Sequence, residues 1–265
     1  MSATVNAQVR YLKPEWKGRD EIPALGDRES RRALTAKWDV DVHDARGMDL
    51  DLDVDGFLLT NHESAVADFH DEAEVEKIYY PEAKQVIRRL TGADHVFITQ
   101  HVVRTEDKSD FNTAYARFVH CDYTKTDLRK VADKTLGYAG IDPAETADWD
   151  FAWYNTWQPV DREVQQNPLA LVSAASLDEG DVVDYYFTGY KHRALTAMPV
   201  YNPDHRFFYF PRMQTDEVLI IKQLDSREGR ACSCPHTSFD LANPDGPLGR
   251  RSVEVRLMCA FTPPG

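Results

Sequence analysis

The chain has 265 residues, of which 42% are hydrophobic and 28% charged, and it carries a net charge of −13. That composition supports a sizeable core under a solvated surface, and its acidic balance excludes a surface built to track nucleic-acid phosphates or anionic membranes. Four cysteines without a disulfide framework, no apolar run of a signal peptide and no apolar stretch long enough to span a bilayer point to a soluble cytoplasmic protein with reduced thiols.

Residues 1–35 are polar and broken by Pro14, Gly18, Pro23 and Gly26, which predicts an extended arm with a short strand over 5–12. Lys37 to Val42 alternates as a strand. The acidic run over 49–55 lacks the ligand spacing of a calcium loop and reads as a solvated loop. Residues 74–90 have helical periodicity through Val75, Ile78, Tyr79, Val86, Ile87 and Leu90, with Pro81 as a kink or break and Gly92 as the C-terminal stop. Strands over 95–103 and 116–122 follow, then a helix over 124–138 that buries Leu128, Val131 and Leu136.

The second half is mostly β. Strands are predicted over 151–158, 169–174, 182–188, 207–210, 218–223, 231–236 and 252–261, where aromatic and β-branched residues alternate between Gly, Pro, Asp and Asn breaks. Helices early and short strands late predict an α+β fold, a double-layered jelly roll with helices packed on one side. The expected organisation is a single domain over 1–265. Residues 1–35 form its N-terminal arm, 36–140 its helices and first strands, and 141–265 the remaining jelly-roll strands.

Within the strand over 116–122, His120 and Asp122 are two apart and project to one side. An imidazole and a carboxylate in one space can form two corners of a 2-His-1-carboxylate iron site. Alone, the pair also fits a half-buried strand with a surface ion pair. A second imidazole is offered by His236, which follows a distant strand-like stretch. Beyond it, Arg250 and Ser252 share one strand face. An arginine fork and a neighbouring hydroxyl are what the distal carboxylate of 2-oxoglutarate requires while its 2-oxo acid end chelates iron. Arg256 lies on the same face as a second choice, with pairing to Glu254 as its alternative.

Lys222 ends the apolar run Val218-Leu219-Ile220-Ile221; it either contacts the co-substrate or snorkels at a strand end. Tyr123, Asn155, Trp157 and Tyr209 are candidate substrate-binding residues, with packing roles as the alternative. His101 and Arg104 fall near a strand end, at the pocket mouth or on the surface, and His205 and Arg206 in a turn. Cys232, Cys234 and His236 at i, i+2, i+4 raise zinc as a rival metal, but neighbouring residues on one strand seldom wrap a tetrahedral ion, and small reduced thiols are the simpler reading.

Several stretches resemble the non-haem iron and 2-oxoglutarate-dependent oxygenases, in the group that includes fungal gibberellin desaturase, the AsaB-type hydroxylase/desaturases and the partner protein of cephamycin methoxylation. They include Asp55-Gly56-Phe57, Tyr79-Tyr80-Pro81-Glu82, His120-Cys121-Asp122-Tyr123, Tyr154-Asn155-Thr156-Trp157, Lys222-Gln223-Leu224-Asp225-Ser226, His236-Thr237-Ser238-Phe239 and Arg251-Ser252-Val253-Glu254-Val255-Arg256. The resemblance implies a double-stranded β-helix with iron on His120, Asp122 and His236, and Fe(II), 2-oxoglutarate and dioxygen as cofactor and co-substrates. It also implies hydroxylation, desaturation or cyclisation of a small organic molecule in natural-product biosynthesis. The alternative it carries is an accessory or small-molecule-binding jelly-roll protein that partners a methyltransferase. One departure stands out: Gln158 occupies a position where the family pattern suggests Arg, which would alter a substrate contact if that residue faces the substrate.

Overall fold

The computed structural model describes residues 4–105, 117–178, 180–189, 193–246 and 248–263. Thirteen strands form among them: β1 (Thr4–Leu12), β2 (Ala24–Leu25), β3 (Thr35–Asp44), β4 (Phe57–Asn61), β5 (His95–Thr105), β6 (Asp150–Pro159), β7 (Leu169–Val172), β8 (Val182–Phe187), β9 (Ala194–Pro199), β10 (Phe207–Tyr209), β11 (Glu217–Asp225), β12 (His236–Ser238) and β13 (Arg251–Phe261). They build two five-stranded sheets, ordered β1-β3-β10-β7-β12 and β4-β11-β6-β13-β5, and a three-stranded sheet β2-β8-β9. The two large sheets are the layers of a jelly roll.

Side-chain alternation explains how the layers hold together. Trp157, Leu219 and Ile221 on one face of the β4-β11-β6-β13-β5 sheet pack with Leu171 and Phe208 of the other sheet. The opposite face carries Tyr154, Ile220, Val253, Val255 and Leu257, which pack on Tyr79, Ala83, Val86 and Ile87. Each such fully buried apolar side chain contributes about 1.5–3 kcal/mol relative to exposure.

Helix α1 (Arg28–Leu34) lies in the arm against β2 and β3, and the helical layer over that outer face is α2 (Glu72–Glu74), a π-helical turn Val75–Tyr79 and α3 (Tyr80–Thr91). Pro81 sits in the first turn of α3, where its missing N–H costs nothing, and the wide turn stands just before it. Gly92 ends α3 with φ 69°, as a C-terminal cap requires. The helix α4 (Leu128–Tyr138) buries Leu136, while Leu128 and Val131 are half-buried against the same cluster.

Two expected strands take another form. The stretch over 116–122 starts at Ala116, outside the described residues; from there the chain makes only isolated bridges, His120 to His236 and Cys121 to Ala197. In the stretch over 231–236 the ladder begins only at His236, because Pro235 has no N–H to give and the Ala231 and Cys234 amides go to Asp53 and Lys222 carbonyls. Helix α1 and strands β2, β4 and β9 lie outside the elements expected from periodicity. Strand β1 of the N-terminal arm pairs with β3 along its full length and forms the edge of the first sheet.

Candidate functional site

The segment carrying His120 and Asp122 is splinted by four separate elements. Val119 N–H donates to the Arg10 carbonyl of β1 at 2.8 Å, and His120 and His236 exchange backbone hydrogen bonds at 3.1 and 3.0 Å. Cys121 N–H donates to Ala197 of β9 at 2.8 Å, and Asp122 N–H donates to Gln223 Oε1 of β11 at 3.1 Å. Residues far apart in sequence therefore fix one short segment, and the expected side-by-side placement of His120 and Asp122 holds without a continuous strand: His120 Nε2 lies 3.8 Å from Asp122 Oδ1.

His236 completes the group, its ring centroid 4.6 Å from that of His120. Each imidazole is anchored by a carbonyl two residues upstream: His120 Nδ1 lies 2.9 Å from Phe118 O, and His236 Nδ1 lies 3.2 Å from Cys234 O. A carbonyl only accepts, so Nδ1 carries a proton in both rings, and Nε2 is the nitrogen left to face a ligand. Burial, then the adjacent His236, pull His120 down to about 4, so it is neutral at physiological pH. Burial alone would push Asp122 up, but Arg256, His236, His120 and Asn155 outweigh it and hold the carboxyl below the usual carboxylate range. Two imidazoles and one ionised carboxylate are the donor set that suits a non-haem iron ion.

Asp122 is held from its far side. Arg256 donates to Oδ1 at 2.8 Å and Asn155 Nδ2 to Oδ2 at 2.6 Å. Among the described residues no group of three or more His, Cys, Asp or Glu side chains is arranged to hold a metal ion as it stands, and the Asp122 carboxylate faces Arg256 and Asn155. Arg256 also donates to Glu254 at 2.9 Å, and Arg104 approaches Glu254 at 4.0 Å. An alternating row Arg104, Glu254, Arg256, Asp122 thus runs along the inner face of the sheet.

Both imidazoles open onto a narrow cleft lined also by Arg104, Trp157, Arg250 and Glu254. Arg250 is only 2% exposed; its guanidinium lies 5.3 Å from the Trp157 ring and donates to Asn167 O at 2.5 Å. Ser252 Oγ, two residues on, is buried and has no hydrogen-bond partner among the described residues. A cation just before β13 and an unsatisfied hydroxyl near its start suit an anionic carboxylate.

Other expected residues fall elsewhere. Lys222 is fully buried on the opposite face of the sheet, across from Tyr154, and is committed to Asp53 at 2.5 Å and Asp225 at 2.7 Å; it does not reach the cleft. The acidic run over 49–55 is therefore partly an ion-pair partner for Lys222 and Arg230 as well as a loop. Tyr209 turns away from the jelly-roll interior and packs edge-on against Phe239 at 5.6 Å. Asn155 grips Asp122, and Trp157 lines the cleft. Tyr123 lies near Thr99 Oγ1 at 3.3 Å and borders a separate cavity of about 750 Å³ with Thr124, Asp184 and Cys232.

Gln158 also faces the helical layer. It accepts from Tyr79 Oη at 2.8 Å and donates to His62 O at 2.9 Å and Thr215 O at 2.6 Å, so this departure from the family pattern is a structural tie. Arg104 reaches the cleft, whereas His101 pairs with Tyr80 Oη at 2.6 Å. His205 sits in the expected turn, but its ring is buried between Tyr11 Oη at 3.0 Å and Asp181 at 2.9 Å. Cys234 is an inert thiol in the core: burial pushes it up, and Sγ lies 3.4 Å from Val172 O. Glu254 shares its strand face with Arg250, Ser252 and Arg256, as alternation suggests. Gln223 shares the inward face of Leu219 and Ile221 by the same alternation, but its bond to Asp122, 101 residues away, has no local signal.

A family model described as Oxidoreductase/YMDC permease-like domain matches residues 9–260. The alpha-ketoglutarate-dependent dioxygenase phiK of a fungal species is 30% identical over 274 residues, covering 97% of this chain and 96% of that protein. The hydroxylase/desaturase efuI of Hormonema carpetanum is 28% identical over 286 residues, covering 97% and 95%. Among solved structures, the iron and alpha-ketoglutarate-dependent endoperoxidase NvfI superposes with a TM-score of 0.86 at 22% identity, over 99% of each chain, which shows the same fold.

Proposed function

This chain is an enzyme of the Fe(II)/2-oxoglutarate-dependent dioxygenase and hydroxylase/desaturase family, and from that premise we propose that His120, Asp122 and His236 hold its iron while Arg250 and Ser252 hold the distal carboxylate of 2-oxoglutarate. Its substrate is a small organic molecule of natural-product biosynthesis, which it hydroxylates, desaturates or cyclises. The observation that carries the site reading is the pair of imidazoles with Nδ1 tied to carbonyls and Nε2 left to face a ligand, beside an ionised Asp122, in a cleft that also holds Arg250. The relatives are named for oxygenase and desaturase activities, which favours an enzyme over a methyltransferase accessory.

Bound iron, with dioxygen and 2-oxoglutarate, supplies the oxidising power that removes hydrogen from an unactivated C–H bond as the co-substrate becomes succinate and carbon dioxide. The chain's own residues orient and protect. The Phe118 and Cys234 carbonyls keep both rings in the ligating tautomer. Asn155 and Arg256 fix the Asp122 carboxylate. Arg256 and Arg104 offset the charge of Glu254, so the cleft does not repel a dicarboxylate. Arg250, braced against Trp157 and Asn167 O, presents a cation at one end, and Ser252 adds a hydroxyl. Trp157 and the apolar cluster behind it exclude water.

No helix among the described residues is long and apolar enough to cross a membrane. The four free thiols suit a reducing compartment such as the cytoplasm. The test is spectroscopic. Anaerobic protein with Fe(II) and 2-oxoglutarate should develop a visible charge-transfer band, and a folded His236→Ala protein should not. An intact band in that variant would remove His236 from the site. Substrate candidates are then screened by mass for the gain of one oxygen or the loss of two hydrogens.

A further inference from the structure

Strand β11 carries an irregularity beside the site. Lys222 opposes Tyr154 of β6, and the next paired residue is Leu224, opposite Trp153, so Gln223 is the extra residue of a β-bulge. A bulge re-aims side chains. Here it turns Leu224 onto the Trp153 cluster and leaves Gln223 inward as well, fully buried. A regular strand would have carried Leu224 to the outer face with Lys222.

Gln223 Oε1 accepts the Asp122 N–H at 3.1 Å. That bond fixes the amide orientation, because a backbone N–H needs an acceptor. Gln223 Nε2 is then a donor, and it is buried without a hydrogen-bond partner among the described residues. On the neighbouring strand Asn155 is in the mirror situation: its Nδ2 grips the Asp122 carboxylate while its Oδ1 is buried without a partner. Two amides thus hold one aspartate, one by its backbone and one by its carboxylate, and each gives up half of its own hydrogen bonding to do so. Leucine or methionine would fill these places without that cost. The polar choice at both positions makes sense through Asp122.

We propose that Gln223 is a positioning residue for Asp122 and through it sets the metal affinity of the site. This rests on the iron-site reading above. Gln223 touches neither metal nor substrate; it fixes the backbone from which the carboxylate projects, while Asn155 and Arg256 fix the carboxylate itself. Amide and Asp122 form one unit beside the bulge, where Gln223 is the residue of β11 left without an opposite partner on β6.

The test uses the full chain with cobalt(II) as a metal that does not turn over, titrated through its visible absorption. Gln223→Met, which keeps the volume and loses the acceptor, should weaken cobalt(II) binding by roughly 10–100-fold, the usual effect of removing a partner that orients a ligand. In the metal-free protein it should speed hydrogen exchange at the Asp122 amide. Gln223→Asn, which draws the acceptor back by one methylene, should move both readouts in the same direction and decides the matter if the Met variant does not fold. Gln223→Glu keeps an acceptor oxygen and should retain cobalt(II) affinity within about threefold, well inside the loss expected for Met. Wild-type affinity in the Met and Asn variants, or equal losses in Met and Glu, would overturn the proposal. Asp122→Ala and His236→Ala separate the two readings. If they lose cobalt(II) while Gln223→Met keeps it, only the role of Gln223 falls; if they bind as the wild type does, the iron site falls and this proposal with it.

Discussion

The two faces of the β4-β11-β6-β13-β5 sheet are built from the same strands and differ in how their polar groups are served. On the helical side, Gln158 has three hydrogen-bond partners and Lys222 is matched by Asp53 and Asp225. On the jelly-roll side, one residue along the same strands, Asn155 Oδ1, Gln223 Nε2 and Ser252 Oγ are buried without hydrogen-bond partners among the described residues. Arg256, Glu254 and Asp122 form a row of charges there. Completed networks rigidify a core, whereas unfinished ones mark where a ligand or metal completes the set. Thr156 Oγ1 on the helical side is also without a hydrogen-bond partner among the described residues, so the contrast lies in the amide and charged groups, and on the inner face these fit the metal and co-substrate proposed above.

Substitutions can break that contrast, and the largest effect belongs to the inner face. Asp122→Ala should abolish iron-dependent succinate formation while leaving the circular dichroism spectrum nearly unchanged; retained turnover would show that the carboxylate is not a ligand. Next, Arg250→Leu should raise the 2-oxoglutarate concentration for half-maximal turnover on the order of 100-fold, the scale for truncating one partner of a buried charge pair. A twofold change would move the co-substrate away from Arg250.

The outer face should respond in stability alone. Lys222→Met strands Asp225 and Asp53 with their arginines and should cost about 3 kcal/mol in denaturant unfolding. Its half-saturating 2-oxoglutarate should stay within about twofold of wild type, against the on-the-order-of-100-fold change expected at Arg250. Gln158→Leu leaves Tyr79 Oη and two carbonyls short of a partner and should cost about 2–3 kcal/mol with unchanged substrate selectivity. Altered selectivity would return Gln158 to the substrate pocket.

The smallest effect lies far from either face. Burial would raise the Asp181 carboxyl, but Lys17, His205 and the Asp178 amide outweigh it and hold it at about 2, against an ordinary 3.8. Because the folded value is depressed, the stabilisation is complete above the ordinary value and is lost as pH falls from about 4 through about 2. Asp181→Asn should flatten the acid limb of the stability profile in that window.

Much of this was legible in the chain. The period-two pattern of 252–261 put Ser252, Glu254 and Arg256 on one face, and the structure keeps them together. His120 and Asp122 meet as their spacing suggests, and His236 arrives through a direct backbone pairing with His120. The same pattern could not say that Gln158 looks outward onto Tyr79, since alternation assigns residues to faces without saying which face is the interior. Nor could it place Tyr209, which shares β10 with the inward-facing Phe208 and looks the other way.

The sequence by itself therefore determined the side-chain types on offer, the alternation of each strand and the broad β-rich class, because those depend on side-chain chemistry and on backbone sterics between near neighbours. Only the tertiary structure decided which face became the interior, that Lys222 belongs to an outer ion cluster, and that Gln223 beside it accepts the Asp122 N–H. The reason is physical: that bond joins residues 101 positions apart, and the bulge next to it depends on pairing with another strand, so no local pattern carries either.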